Sequence, residues 1–183
     1  MALPPPSAAR KPLHRRAIQV EAFERDDGLF DLEARLTDTK PHVIELFGSP
    51  VAAGHPIHDM VLRVTVNASL DIVDVQVASL SVPVPGVCDA IAPAYAKLIG
   101  LNLLAGFRRE AKALLGGTRG CTHLTELTGV LPTAALQAFG HRVRRTGQDD
   151  VSQPPFFVGQ CHAYDRTGPV VQRHYPQWFV KAN

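Results

Sequence analysis

Four short stretches of the 183-residue chain carry side chains able to do chemistry: His55-Pro56-Ile57-His58-Asp59, Cys88, Gly120-Cys121-Thr122-His123 and Gln160-Cys161-His162. Thiolates, imidazoles and carboxylates are the groups that bind zinc or iron, each in its deprotonated form. The first three stretches therefore point to a mixed metal site. Cys88, Cys121 and His123 are its candidate ligands, with His58 or Asp59 completing the set. The same residues also suit an enzyme, a hydrolase or lyase acting on a small molecule. An ion with one open position can activate water or polarise a carbonyl, with Asp59 or Glu126 as general base. Without the ion, the Cys121 thiolate is a nucleophile and His123 its base. The bland alternative stays open, because 121 − 88 = 33 residues separate the two cysteines and no CxxC pair occurs. In that reading Cys88 is a small buried hydrophobe and His123 a hydrogen-bonded surface residue. Cys161 sits in an alternating run, Phe157 to Cys161, that reads as a structural strand thiol.

These residues must be held by elements that the hydrophobic pattern outlines. Residues 1–13 are Pro-rich and read as a flexible arm, and residues 14–183 as one α+β domain. Ile18, Val20 and Ala22 alternate with polar neighbours, as do Leu32, Ala34 and Leu36 beyond Arg25-Asp26-Asp27-Gly28. Two period-two runs around an Asp-Gly predict a β-hairpin. A loop with one short strand at 43–46 follows. Met60, Leu62, Val64 and Val66, then Val73, Val75 and Val77, predict a second antiparallel pair with one apolar face. Helical spacing takes over from Asp89, with Gly100 as its stop. A second helix carries Leu103, Phe107, Ala111 and Leu114 and ends at Gly116-Gly117. A third starts near Cys121 and carries a kink or break at Pro132. The segments 156–164 and 170–173 return to strand character. The expected class is α+β, an antiparallel sheet of hairpins with three helices packed on one face. Cys88 and Cys121 then both open helices, where the dipole and unpaired amides favour a thiolate.

Composition bounds the rest. Nineteen basic against seventeen acidic residues give a net charge of +2, too balanced to indicate nucleic-acid binding. No apolar run reaches the roughly 18 residues a membrane span needs. The proline-rich start lacks a signal-peptide core, so a cytoplasmic protein is expected. Three cysteines do not make a disulfide framework. No GxGxxG, Walker-type or GxSxG motif occurs, and Gly116-Gly117-Thr118-Arg119-Gly120 reads as the bend presenting Cys121. His141, Arg142, Arg144 and Arg145 form a basic helix end. A protein-interaction module built on the sheet and those arginines is a third reading, and pairing of edge strands between subunits would make a homo-oligomer.

Four blocks carry a family resemblance: RRAIQVEAFERDDGLFDLEARLTDTK, PIHDMVLRVTVN, LIGLNLLAGFRREAKALLGGTRGCTHLTEL and CHAYDRTGPVVQRHYPQW. Their RxDGL, HDM and GCTHL signatures resemble a bacterial family catalogued as a domain of unknown function, the DUF2889 type, over residues 14–180. The name implies no activity. From residue 55 onward the order of motifs is distantly similar to the iron–sulfur scaffold proteins IscU, SufU and NifU. That resemblance implies a SufE/NifU-like scaffold fold, with Asp59 at the scaffold's aspartate and Cys88 and Cys121 at its second and third cysteines. His58 stands near the place of the first cysteine, and His123 follows Cys121 where the scaffolds have a histidine preceding it. The departures imply a single zinc or iron ion rather than a labile cluster.

Overall fold

The computed structural model describes residues 2–139, 154–155 and 157–181, and the basic cluster His141, Arg142, Arg144 and Arg145 lies outside them. The chain divides into two compact units, Met1–Val143 and Arg144–Asn183.

In the first unit, strands β1 (Arg15–Glu24), β2 (Phe30–Thr39), β5 (Pro56–Val66) and β6 (Ile72–Ser81) form an antiparallel sheet in the order β1-β2-β5-β6. The expected first hairpin is present, with Ile18 opposite Leu36 and Val20 opposite Ala34. Between β2 and β5 the chain makes a small separate hairpin of β3 (Ile44–Leu46) and β4 (Ser49–Val51). Its two turn residues, Phe47 and Gly48, both have positive φ, the backbone that a tight two-residue hairpin demands. Only the first of these short strands is visible in the sequence, because Pro50 disguises the second.

Alternation fixes which face of the sheet is covered. Leu32, Ala34 and Leu36 of β2 and Met60, Leu62, Val64 and Val66 of β5 share one face and are fully or almost fully buried. Three helical segments supply the covering apolar surface, as expected for the α+β class. A 3₁₀ segment, Asp89–Leu98, buries Tyr95 and Leu98. Helix α1 (Phe107–Leu115) buries Phe107, Ala111 and Leu115. Helix α2 (Thr122–Phe139) buries Leu124, Leu127, Leu131 and Ala135, spaced three or four residues apart as one helical stripe. Each buried leucine contributes roughly 1.5–3 kcal/mol of transfer free energy. That burial on both sides of Pro132 carries α2 through the proline, which removes one backbone donor without ending the helix.

The second unit departs from the sequence expectation. Of the strands expected at 156–164 and 170–173, the described residues 157–164 and 170–173 form none. The chain instead forms 3₁₀ turns at His162–Tyr164 and Pro176–Trp178 and a short helix α3 (Pro169–His174). Pro169 at the first helical position and the preceding Gly168 favour a helix start, and among the described residues no strand pairs with this segment. The rings of Phe157, Tyr164 and Tyr175 cluster there, with Phe157 4.8 Å from Tyr164 and 5.4 Å from Tyr175. Among the described residues, no helix is long and apolar enough to cross a membrane.

Candidate metal centre

At one end of the sheet the buried face changes from apolar to ionisable. Asp38 continues the inward phase of Leu32, Ala34 and Leu36, and His58 continues that of Met60 and Leu62. Register aligns Arg16 of β1, Asp38 of β2 and His58 of β5 in one row across the sheet. Helix α2 adds His123 and Glu126 from its first two turns.

Asp38 is the hub, its side chain only 4% exposed. Its Oδ1 accepts hydrogen bonds from His14 Nε2 at 2.9 Å and Arg16 Nε at 2.9 Å. Its Oδ2 accepts from Arg16 Nη2 at 2.8 Å and pairs with His58 Nδ1 at 3.1 Å. Arg16 reaches on to Glu126 at 2.5 Å. The imidazoles of His58 and His123 stack with centroids 3.7 Å apart, and His123 Nε2 lies 3.7 Å from Asp38 Oδ2. His123 Nδ1 is 3.8 Å from Cys121 Sγ.

The surroundings shift these groups in consistent directions. Burial pushes the Asp38 carboxyl up, but the Arg16 guanidinium and then His14 outweigh it and hold Asp38 below the usual carboxylate range. Burial lowers His58 below the ordinary histidine value, helped by the charge of His123 and opposed by Asp38. Burial and then Arg16 lower His123 in the same way. Both imidazoles thus favour the neutral form that binds a metal.

Asp38, His58 and His123 each present one ligand atom, all within 4.8 Å of one another, so this group could hold a metal ion. A pocket of about 350 Å³ opens beside them, lined by His58 and His123 together with Cys88 and Cys121. The structure therefore brings four of the sequence-predicted ligands to one cavity. Cys88 stands immediately before the 3₁₀ segment and Cys121 immediately before α2. Two buried features fix Cys121. The Tyr95 hydroxyl accepts from the Cys121 amide at 3.0 Å and donates to its carbonyl at 2.9 Å. Gly120 lets the turn pass so close to α1 that a Cβ there would lie 2.4 Å from the Leu115 carbonyl oxygen.

Asp59 lies elsewhere. As the neighbour of His58 in a strand it faces the opposite side of the sheet, where Arg35 holds both its oxygens at 2.7 and 2.6 Å. Glu126 is taken up by Arg16. Cys161 is exposed in the second unit. Sequence reasoning missed Asp38, Arg16 and His14. The signal was available, since Asp38 is a charge on the inward, otherwise apolar phase of β2.

Residues 14–137 match the model of the family described as "Protein of unknown function (DUF2889)". The chain belongs to that family. The DUF2889 match covers every strand of the sheet and every residue of the candidate centre. No curated protein and no solved structure matches the chain.

Proposed function

We propose that this DUF2889 protein binds one zinc or iron ion through His58, His123 and Cys121, with the remaining coordination position turned to the pocket that Cys88 also lines. The convergence of two imidazoles on a buried carboxylate at the edge of a thiol-lined cavity carries this reading. Two assignments are open to Asp38, and hydrogen-bond counting favours one. A carboxylate offers about four acceptor positions. His14, Arg16 twice and His58 already use that many. Asp38 is then an outer carboxylate that orients the imidazoles, a common partner of metal-bound histidine. His58 Nε2 and His123 Nδ1 are left for the ion. Zinc bonds of about 2.0 Å to nitrogen and 2.3 Å to sulfur at a tetrahedral angle place those atoms about 3.5 Å apart. The 3.8 Å between His123 Nδ1 and Cys121 Sγ is close to that. The position of Cys121 at a later helix start also supports the distant likeness to the IscU, SufU and NifU scaffolds. Unlike their loop, however, His58 lies within β5. When bound, such an ion supplies a Lewis acid at the pocket mouth.

Metal analysis of tag-free protein tests this. About one equivalent of zinc or iron is expected, falling below about a tenth in Cys121→Ser and in His123→Ala. Less than that tenth in the unsubstituted protein would sink the reading.

The line Cys121 Sγ, His123 Nδ1, His123 Nε2, Asp38 Oδ2, with gaps of 3.8 and 3.7 Å, favours a second reading. It has the order of a thiol nucleophile, a base and an orienting acid, as a metal-free hydrolase or lyase would use on a small molecule. Alkylation kinetics separate the two. Rapid modification of Cys121 that added zinc does not slow supports the enzyme, and protection by zinc supports ligation.

A further inference from the structure

The thiol of Cys121, the imidazole next to it and a set of free amides all meet at one cavity. The Cys121 amide is taken by the Tyr95 hydroxyl at 3.0 Å. Among the described residues no acceptor stands against the Thr122 or His123 amide. Amides of a first helical turn point out of the helix end, and Gly120, Cys121, Thr122 and His123 all line the pocket. Two free donors beside a nucleophile match the oxygen of a carbonyl under attack, which turns from neutral to anionic as the bond forms. The apolar walls Met60, Val82, Val87 and Ile91, with no Asp, Glu, Lys or Arg among the lining residues, suit a short alkyl chain and disfavour a charged one.

The two imidazoles are free at different atoms. His58 Nδ1 lies 3.1 Å from Asp38 Oδ2. Facing an ionised carboxylate, that nitrogen carries the ring proton, and Nε2 is left as an acceptor. His123 keeps Nδ1 for the Cys121 thiol, 3.8 Å away. His58 also lines the pocket and is a second base that no thiol occupies.

Resting on the metal-free thiol reading above, we propose that this cavity hydrolyses small apolar esters or thioesters, with Cys121 as nucleophile, the Thr122 and His123 amides as oxyanion donors and His58 as the base for water. As sulfur bonds to the carbonyl carbon, the Cys121 S–H proton passes to His123 Nδ1, and from there to the departing alkoxide or thiolate. Water then adds to the acyl carbon and gives one proton to His58 Nε2. The carbon–sulfur bond breaks, a carboxylic acid leaves, and the Cys121 thiolate takes its proton back from His58.

The test is p-nitrophenyl butyrate added to the full chain with a chelator present, read by nitrophenolate release and by peptide mapping of the acyl adduct. A burst of about one equivalent and a slower steady release are expected, with butyryl on Cys121 alone. Thr122→Pro removes one amide at a helix position that accepts proline. It is expected to slow the burst about 100-fold, while iodoacetamide still alkylates Cys121 rapidly. His58→Gln is expected to keep the burst and lower the steady release about 100-fold. Should Thr122→Pro lose its cooperative melt, the split between the two phases in His58→Gln decides. Butyryl spread over Cys88, Cys121 and Cys161, or no burst from a chain whose Cys121 iodoacetamide modifies rapidly, overturns the proposal while the thiol reading stands. A burst that folded Thr122→Pro leaves unslowed, or two phases that His58→Gln changes equally, overturns it as well. A Cys121 that iodoacetamide modifies only slowly overturns the thiol reading and the proposal with it.

Discussion

A carboxylate on the inward phase of a strand must gather a full set of donors, because water cannot reach it to supply them. Asp38 gathers them from three side chains, and this makes it the residue on which the site depends. Asp38→Asn keeps the shape, removes the charge that Arg16 faces, and presents an amide where acceptors are needed. It is expected to cost about 1–3 kcal/mol in urea unfolding. If Asp38 orients the imidazoles, the same change lowers metal affinity about 10- to 100-fold without abolishing binding. Loss of all binding would instead make Asp38 a direct ligand. The histidines give a pH dependence whose sign is fixed. His58 and His123 bind a proton less readily in the folded chain than in the unfolded one. Between their lowered values and the ordinary value near 6.5, the unfolded chain therefore holds more protons, and stability falls as pH falls. Asp38 acts lower on the scale, its contribution present above about 3.9 and lost as pH drops through its depressed value. The urea midpoint of metal-free protein is expected to drop between about pH 7.5 and 5.5, and to drop less in His123→Gln. An equal drop in both proteins would count against this account.

Elements place these residues, and how visible they were in the sequence follows from the kind of force that holds each one. Period-two and helical patterning reflect burial, so β1, β2, β5, β6, α1 and α2 were legible, and so were the cysteines at two helix starts. Segments 156–164 and 170–173 were not, because a short apolar run reads as a strand whether or not a partner strand exists. The row Arg16, Asp38, His58 depends on register between strands distant in sequence, which no local pattern reports, and sequence order alone ranks Asp59 equal to His58, whereas the pleat puts it beside Arg35. The turn before α2 makes its own prediction. Gly120→Ala places a methyl carbon against the Leu115 carbonyl, so the turn must shift and carry Cys121 with it. Tyr95→Phe leaves the turn in place but strips its buried hydroxyl partner, at a cost of about 1–3 kcal/mol. Metal affinity measured in both variants is expected to fall more for Gly120→Ala, since displacement of a ligand outweighs loss of its support. The reverse order would mean that the Tyr95 hydroxyl, rather than the close backbone approach, sets the position of Cys121.

On the scale of the whole molecule, the core and the centre coincide with one of the two units. The contiguous buried cluster runs from Phe30 to Phe139, and Asp38, His58, Cys88, Cys121 and His123 all fall within Met1–Val143. The family match over residues 14–137 has nearly the same extent. The second unit has backbone hydrogen bonds of its own, Gly159 to Tyr164 and Val180 to Arg166, and an aromatic cluster. A sheet with three covering helical segments and a core of this size is enough for independent folding. A chain ending at Val143 is therefore expected to unfold in one cooperative transition and to bind the same equivalents of metal as the full chain, measured by calorimetry and metal analysis. Equal binding with a lower melting temperature would make residues 144–183 a stabilising addition. A cooperative fold that no longer binds metal would overturn the placement of the whole ligand set within Met1–Val143.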